Sequence, residues 1–172
     1  FKIKSIFLIM KKINVLISGA AGYIGSELVK ILLKHKYVNI KYLCGYGSAG
    51  KKLSYYDNYF KNKKLPIIQT FSSKLLKHID FVFTALPNGD AQKLSKKLLE
   101  KNILIDLSAD FRLKKDNEYY KWYKKKHLAV KNIKKSIYAL PEIKGDLIKK
   151  FKIIACPGCY PTSILLPLIP LI

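Results

Sequence analysis

The sequence predicts an α/β fold built on a doubly wound, mostly parallel sheet, and three observations carry that expectation. Short apolar runs alternate with segments of helical periodicity, the pattern of strands covered on both faces by crossover helices. The first run ends on a cluster of glycines that opens directly into a helical segment. Hydrophobic residues make up 49% of the 172 residues and aromatics 12%, enough to bury a core and unlike a disordered chain.

Taken in order, Ile13–Ser18 reads as the first strand and residues 27–34 as the first helix. Residues 40–44 read as a second strand, 45–64 as a long loop rich in Gly, Tyr and Lys, and 65–69 as a short strand. Phe81–Thr84 and Ile103–Asp106 are buried strands, separated by an amphipathic helix over 91–101. An aromatic-rich helix spans 117–127, a last strand 151–155, and a helix follows from about Pro161. There is no internal repeat and no low-complexity linker.

Met10 is the only methionine and Lys11-Lys12 follow it, so Met10 reads as the initiator and residues 1–9 as upstream read-through. A signal or transit peptide is the rival reading, but it lacks a long apolar region and a small-residue cleavage site. The expected organisation is a non-structural leader at 1–12, a nucleotide-binding domain at 13–155, and a cysteine-bearing turn at 156–172 that begins a second, truncated domain. That last inference comes from the uncapped apolar stretch 163–172.

The formal charge is +22, which raises the question of nucleic acid. The basic residues are scattered along the chain, and all but Arg112 are lysines, whereas base and phosphate forks favour Arg. We therefore expect no nucleic-acid partner: a lysine-biased surface is the favoured reading, and attraction of an anionic cofactor and substrate by the positive potential is the weaker functional one. The apolar runs are too short to span a bilayer, so no membrane partner is expected. Three cysteines, Cys44, Cys156 and Cys159, are an odd number and no disulfide framework, which favours the cytoplasm or another reducing compartment.

The run Gly19-Ala20-Ala21-Gly22-Tyr23-Ile24-Gly25 lies between strand and helix. One glycine permits the tight turn, one lets backbone approach a pyrophosphate, and one lets helix pack on strand. Phosphate would then sit on free N–H groups at the positive helix end. The spacing is one residue longer than the commonest fingerprint, and its context marks a Rossmann-type dinucleotide site with Gly19, Ala21, Gly22, Tyr23, Ile24 and Gly25 at the cofactor. A purely structural turn is the bland alternative. About twenty residues on, an acid would hold the ribose of NAD, yet residues 40–56 contain no Asp or Glu and instead offer Ser48, Lys51 and Lys52. Those groups suit a 2′-phosphate, favouring NADP over NAD, unless the lysines are ordinary solvated charges.

Leu86 and Pro87 after one strand and Ser108 after the next are placed where ligands bind such sheets, at the carboxyl ends of strands. Asp106 and Asp110 could equally cap helices or form turns. Arg112 has a fork for a substrate carboxylate or phosphate, and an ion pair with Asp110 or Asp106 is its structural alternative. In Cys156-Pro157-Gly158-Cys159-Tyr160-Pro161-Thr162, Cys159 stands at a predicted helix start, where the dipole and free N–H groups favour a thiolate nucleophile. Cys156 sits at the strand end. A thioredoxin-like pair does not go with the glycine turn, a zinc half-site lacks further ligands, so no metal is expected, and a plain buried cysteine is the remaining alternative. His35, His78 and His127 offer no persuasive general base.

Together these motifs resemble the N-acetyl-γ-glutamyl-phosphate reductase family. The resemblance runs from about residue 13 to 172 through the glycine turn, Ser48-Ala49-Gly50-Lys51, Ala85-Leu86-Pro87, the run Asp106-Leu107-Ser108-Ala109-Asp110-Phe111-Arg112-Leu113, Tyr138-Ala139-Leu140-Pro141-Glu142, and Pro157-Gly158-Cys159-Tyr160-Pro161-Thr162. It implies an NADPH-dependent oxidoreductase that reduces a small acyl-phosphate substrate through a thioester on Cys159, with Pro157 and Gly158 helping to seat the nicotinamide. Lysine-pathway acyl-phosphate reductases share the motifs, and a non-catalytic Rossmann fragment is the reading from another class. The resemblance further implies a homo-oligomer in the full-length protein, and a catalytic histidine and substrate domain beyond Ile172, so that residues 1–172 alone should turn nothing over. The family's arginine near residues 44–47 is missing here.

Overall fold

The computed structural model describes residues 12–172. The expectations for Met10 and for nearly all of the leader lie outside the described residues. Seven strands form one sheet: β1 (Ile13–Ser18), β2 (Val38–Cys44), β3 (Ile68–Gln69), β4 (Phe81–Thr84), β5 (Ile103–Asp106), β6 (Ser136–Tyr138) and β7 (Ile153–Ala155). Their order is β3-β2-β1-β4-β5-β7-β6, and every pairing is parallel. The chain moves outward from β1 to β3 and then returns to β4 on the other side of β1. That reversal makes the carboxyl ends of β1 and β4 the topological switch point, the place where open sheets of this kind bind ligands.

The helices are α1 (Tyr23–Leu33), α2 (Asp90–Ser95), α3 (Asp116–Tyr123), α4 (Val130–Ile133), α5 (Pro141–Lys144) and α6 (Cys159–Leu168). Strand residues alternate between two cores. Val15, Ile17, Leu43 and Ile68 pack with Val29 and Leu32 of α1 on one face. Leu16, Val82, Leu104 and Ile153 pack with Ala91 and Leu94 of α2 on the other. The period of two along β1 thus sends neighbouring residues to opposite faces, which is the doubly wound arrangement the sequence predicts.

Differences of detail have local causes. The strand expected over 65–69 shrinks to Ile68–Gln69, since Pro66 has no N–H for a ladder. The expected loop 45–64 contains two 3₁₀ turns that bury Leu53 and Phe60, and Asp57 anchors it to α1 through Lys30 at 2.8 Å. α2 stops at Ser95 rather than 101. Beyond it Asn102 takes over: its amide donates to the carbonyls of Leu76 and Ile79 while its oxygen accepts the Leu99 N–H. α3 ends at Tyr123, with Lys124 in the left-handed region at φ 54°. The edge strand β6 was not foreseen; three residues after a lysine pair carry no periodicity to read.

Candidate active site

The glycine turn lies at the carboxyl end of β1. Gly19 has φ +88°, and a Cβ there would collide with the Ala85 carbonyl of the loop after β4. A Cβ on Gly25 would collide with the Gly19 carbonyl, so this glycine lets α1 pack directly on the turn. Gly22 is exposed and open, caps α1 without a side chain, and is followed by the exposed Tyr23 and Ile24. Ala21 lies half-buried in the turn. The first turn of α1 carries no acidic residue. Bare N–H groups at a positive helix end, approached over a residue without a side chain, fit the pyrophosphate of a dinucleotide.

Beside it, the loop after β2 is held to β3 by Gly45 N–H to the Gln69 carbonyl at 3.1 Å and Gly50 N–H to the Ile68 carbonyl at 2.8 Å. Ser48 is buried, and its hydroxyl occupies the space a Cβ on Gly45 would need. Lys51 is exposed, with its ammonium 4.4 Å from the Tyr55 ring centre. The aromatic face holds the cation on the loop after β2.

The loops after β4 and β5 form the next part of the rim. Leu86 reaches the space beside Gly19, and Pro87 is exposed next to it. Asp106, at the end of β5, is fully buried. One of its oxygens accepts from Thr84 Oγ at 2.7 Å, Ser108 Oγ at 2.6 Å and the Ser108 N–H at 3.0 Å. Its Oδ2 is buried with no hydrogen-bond partner among the described residues. Burial pushes its carboxyl above the usual carboxylate range, although the bonds from Ser108 and Thr84 oppose this.

Asp110 is the residue that reasoning from the sequence undervalued. Fully buried, it accepts from the Gly89 N–H at 2.8 Å, the Gln92 side-chain amide at 3.0 Å, the Gln92 N–H at 3.2 Å and the Tyr119 hydroxyl at 2.9 Å. It therefore caps α2 from another loop, offsetting the missing side-chain cap at Gly89. His127 is buried against it: Nδ1 accepts the Ala129 N–H at 3.1 Å, which leaves Nε2 to donate to the Asp110 carbonyl at 2.9 Å. This is a neutral, structural histidine, and burial lowers its pKa. The one signal available in the sequence was an acid inside an otherwise small and apolar run.

The cysteine turn completes the rim. Cys156 N–H donates to the Asp106 carbonyl at 2.8 Å, joining β7 to the end of β5. Arg112 crosses from the β5 loop, and its Nε donates to the Cys156 carbonyl at 2.9 Å. Among the described residues no ion pair joins Arg112 to Asp106 or Asp110; carbonyls are its partners instead. Arg112 is also one of the residues around a largely apolar cavity of about 660 Å³, with Phe111, Ile137, Phe151, Lys114 and Lys144. Pro157 and Gly158 follow, and Gly158 caps α6 in extended backbone. Cys159 is the first residue of α6 and is exposed. Burial pushes the Cys156 thiol up to about 11 and the Cys44 thiol up to about 12, so both are poor nucleophiles.

The predicted residues thus fall on the carboxyl ends of β1, β2, β4, β5 and β7, one edge of one sheet. A second cavity of about 570 Å³ lies at the opposite edge, by Asn102 and Ile153. Among the described residues no cluster of His, Cys, Asp and Glu could hold a metal, and no helix is long and apolar enough to cross a membrane.

Comparison with known proteins shows the family and the fold. A family model described as "Semialdehyde dehydrogenase, NAD binding domain" matches residues 14–151. N-acetyl-gamma-glutamyl-phosphate reductase of Ehrlichia ruminantium is 45% identical over 163 residues, 94% of this chain and 47% of its own length. The enzyme of that name from Clostridium beijerinckii is 41% identical over 166 residues, 95% of this chain and 47% of its own length. A probable chloroplastic one from Arabidopsis thaliana is 38% identical, with 94% and 40% covered. The chain spans about half the length of these curated relatives. Among solved structures, aspartate semialdehyde dehydrogenase II from Vibrio cholerae superposes with a TM-score of 0.66 at 21% identity, over 94% of this chain and 42% of that one. The Candida albicans aspartate semialdehyde dehydrogenase with NADP gives 0.57 at 22%, over 94% and 47%. These two likenesses speak to the fold. On the match over most of its length, the chain belongs to the semialdehyde dehydrogenase NAD-binding domain family.

Proposed function

We propose that this chain is the cofactor-binding and nucleophile-bearing part of an NADP-dependent, cytoplasmic reductase of arginine biosynthesis. That reductase converts N-acetyl-L-glutamyl 5-phosphate to N-acetyl-L-glutamate 5-semialdehyde and phosphate. Residues 13–155 are its cofactor domain, and 156–172 begin its substrate domain; the whole protein works as a homo-oligomer. The names of the curated relatives support the reaction. The observation that carries the reading is the exposed Cys159 at the start of α6, which follows β7 at the same carboxyl edge of the sheet as the glycine turn that follows β1.

In this reading the Cys159 sulfur attacks the acyl carbon, the bond from that carbon to the phosphate oxygen breaks, and inorganic phosphate leaves with the electron pair. A thioester remains on Cys159. Bound along the rim, a reduced nicotinamide dinucleotide would supply the hydride that reduces it. The thiohemiacetal oxyanion on Cys159 then collapses to the aldehyde and returns the electron pair to sulfur. Gly19, Ala21, Gly22, Tyr23 and Ile24 form the seat of the pyrophosphate, and Gly25 serves it by letting α1 pack against the turn; Ser48 and Lys51 hold the 2′-phosphate. Leu86, Pro87, Ser108, Pro157 and Gly158 shape the nicotinamide end and keep water from it. Arg112, with Lys114 and Lys144 on the same cavity, meets an anionic end of the substrate.

In a protein of the relatives' full length, Cys159→Ser should lower kcat at least about a thousandfold while NADPH still binds. Turnover near the wild-type rate would refute the nucleophile. Titration with NADPH and NADH tests the cofactor: equal affinities would refute the 2′-phosphate assignment to Ser48 and Lys51.

A further inference from the structure

The start of α6 has no side-chain cap: Gly158 precedes it without a side-chain hydrogen bond. Its entry is set by the three residues that join it to β7, Cys156 to Gly158. Those residues are gripped from one side by a single loop, the one after β5. The Asp106 carbonyl takes the Cys156 N–H at 2.8 Å, and Arg112 Nε gives a hydrogen bond to the Cys156 carbonyl at 2.9 Å. The guanidinium continues past Cys156: a Cβ built on Gly158 would lie 3.3 Å from its Nη1. Nη2 reaches back to the Leu107 carbonyl at 3.4 Å. The loop that carries Arg112 is itself immobilised, since Phe111 is buried and Asp110 is tied to Gly89, Gln92 and Tyr119.

We infer that Arg112 is a positioning residue for the thiol: its planar guanidinium sets the Cys156–Gly158 backbone and so fixes where α6 presents Cys159. This rests on the reading of Cys159 as the nucleophile and adds to Arg112 a role that precedes any substrate contact. The geometry demands a fork. Two carbonyls and the face of Gly158 are met by one rigid plane, which a lysine ammonium cannot reproduce although it carries the same charge. Arg112 is also the only arginine in a chain whose other cations are all lysine.

The test is the rate at which iodoacetamide, a neutral reagent, alkylates Cys159 in the full chain, read by mass analysis of the peptide that contains it. Arg112→Lys and Arg112→Gln should each slow the reaction about tenfold, the scale of losing a helix-end alignment. Lysine should give no rescue. A wild-type rate in Arg112→Lys would overturn the inference, because charge alone would then suffice. A wild-type rate in both variants would overturn it as well. Should both variants unfold, Gly158→Ala presses on the same guanidinium from the other side; it should slow alkylation too, and an unchanged rate would be fatal to the idea. Substrate is absent throughout, so a lost anion contact does not register. The nucleophile reading fails by a different measurement, turnover of Cys159→Ser.

Discussion

Gly19 and Gly25 are set against each other at one spot, each leaving space that a single methyl group would fill. Gly25→Ala should cost about 2–4 kcal/mol, because its new methyl meets backbone rather than a yielding side chain. Gly22→Ala meets nothing closer than 3.4 Å. It should cost under about 1 kcal/mol in stability yet weaken NADPH about tenfold by keeping pyrophosphate off the helix end. Thermal melts and NADPH titration of the two variants separate these outcomes, and equal effects on both would argue against the assigned roles. Asp106 is the other residue-scale feature, a carboxyl held above its ordinary range by burial with one oxygen unpartnered. The folded state keeps its proton at pH values where the unfolded chain has lost it. Its contribution is therefore intact below about pH 3.9 and is lost as pH rises through the folded value. Asp106→Asn removes that titration, so its melting temperature should gain on the wild type as pH is raised to 8. A constant difference across pH would show that Asp106 is ionised in the fold.

At the level of elements, the loop from Leu107 to Leu113 acts as a bracket. Through Asp110 it caps α2 and holds the loop that carries Leu86 and Pro87; through Arg112 it holds the turn that leads to Cys159. The proposed cofactor seat and the thiol are thus referred to one piece of backbone. Asp110→Ala leaves the Gly89 and Gln92 amides and the Tyr119 hydroxyl without their acceptor, and should cost about 3–5 kcal/mol. Loss of under about 1 kcal/mol in chemical denaturation would mean that water replaces the carboxylate at no expense. Sequence patterns could not show this bracket, because Asp110 and Gly89 stand in separate loops whose meeting depends on β4 and β5 being neighbours.

For the whole molecule, charge and protonation set the conditions for folding. His127 is held neutral, so its contribution is present above about pH 6.5 and is lost as pH falls from there to its lowered folded value. Melts of His127→Gln should show a flatter acid limb than the wild type, and an unchanged limb would exclude His127 as its source. With 33 basic and 11 acidic residues the chain repels itself. Added salt should therefore raise the melting temperature and, at the same time, weaken NADPH binding. A melting temperature that falls with salt would mean that local ion pairs outweigh the net charge.

The positions of β1, β4 and β5, the glycine turn and the presence of a helix after the cysteine turn were determined by the sequence alone, although that helix starts at Cys159 rather than near Pro161. Each depends on local chemistry: apolar period, residues without a side chain, and a strand-to-helix junction. The sheet order, the short α2 and β3, the edge strand β6, and the partners of Asp106, Asp110 and Arg112 were decided only by tertiary structure. Arg112 shows the reason. Its sequence offered two acids nearby, yet its fork closes on the carbonyl of Cys156, 44 residues away. Backbone carbonyls carry no side-chain signature, and they reach an arginine only after β5 and β7 have paired.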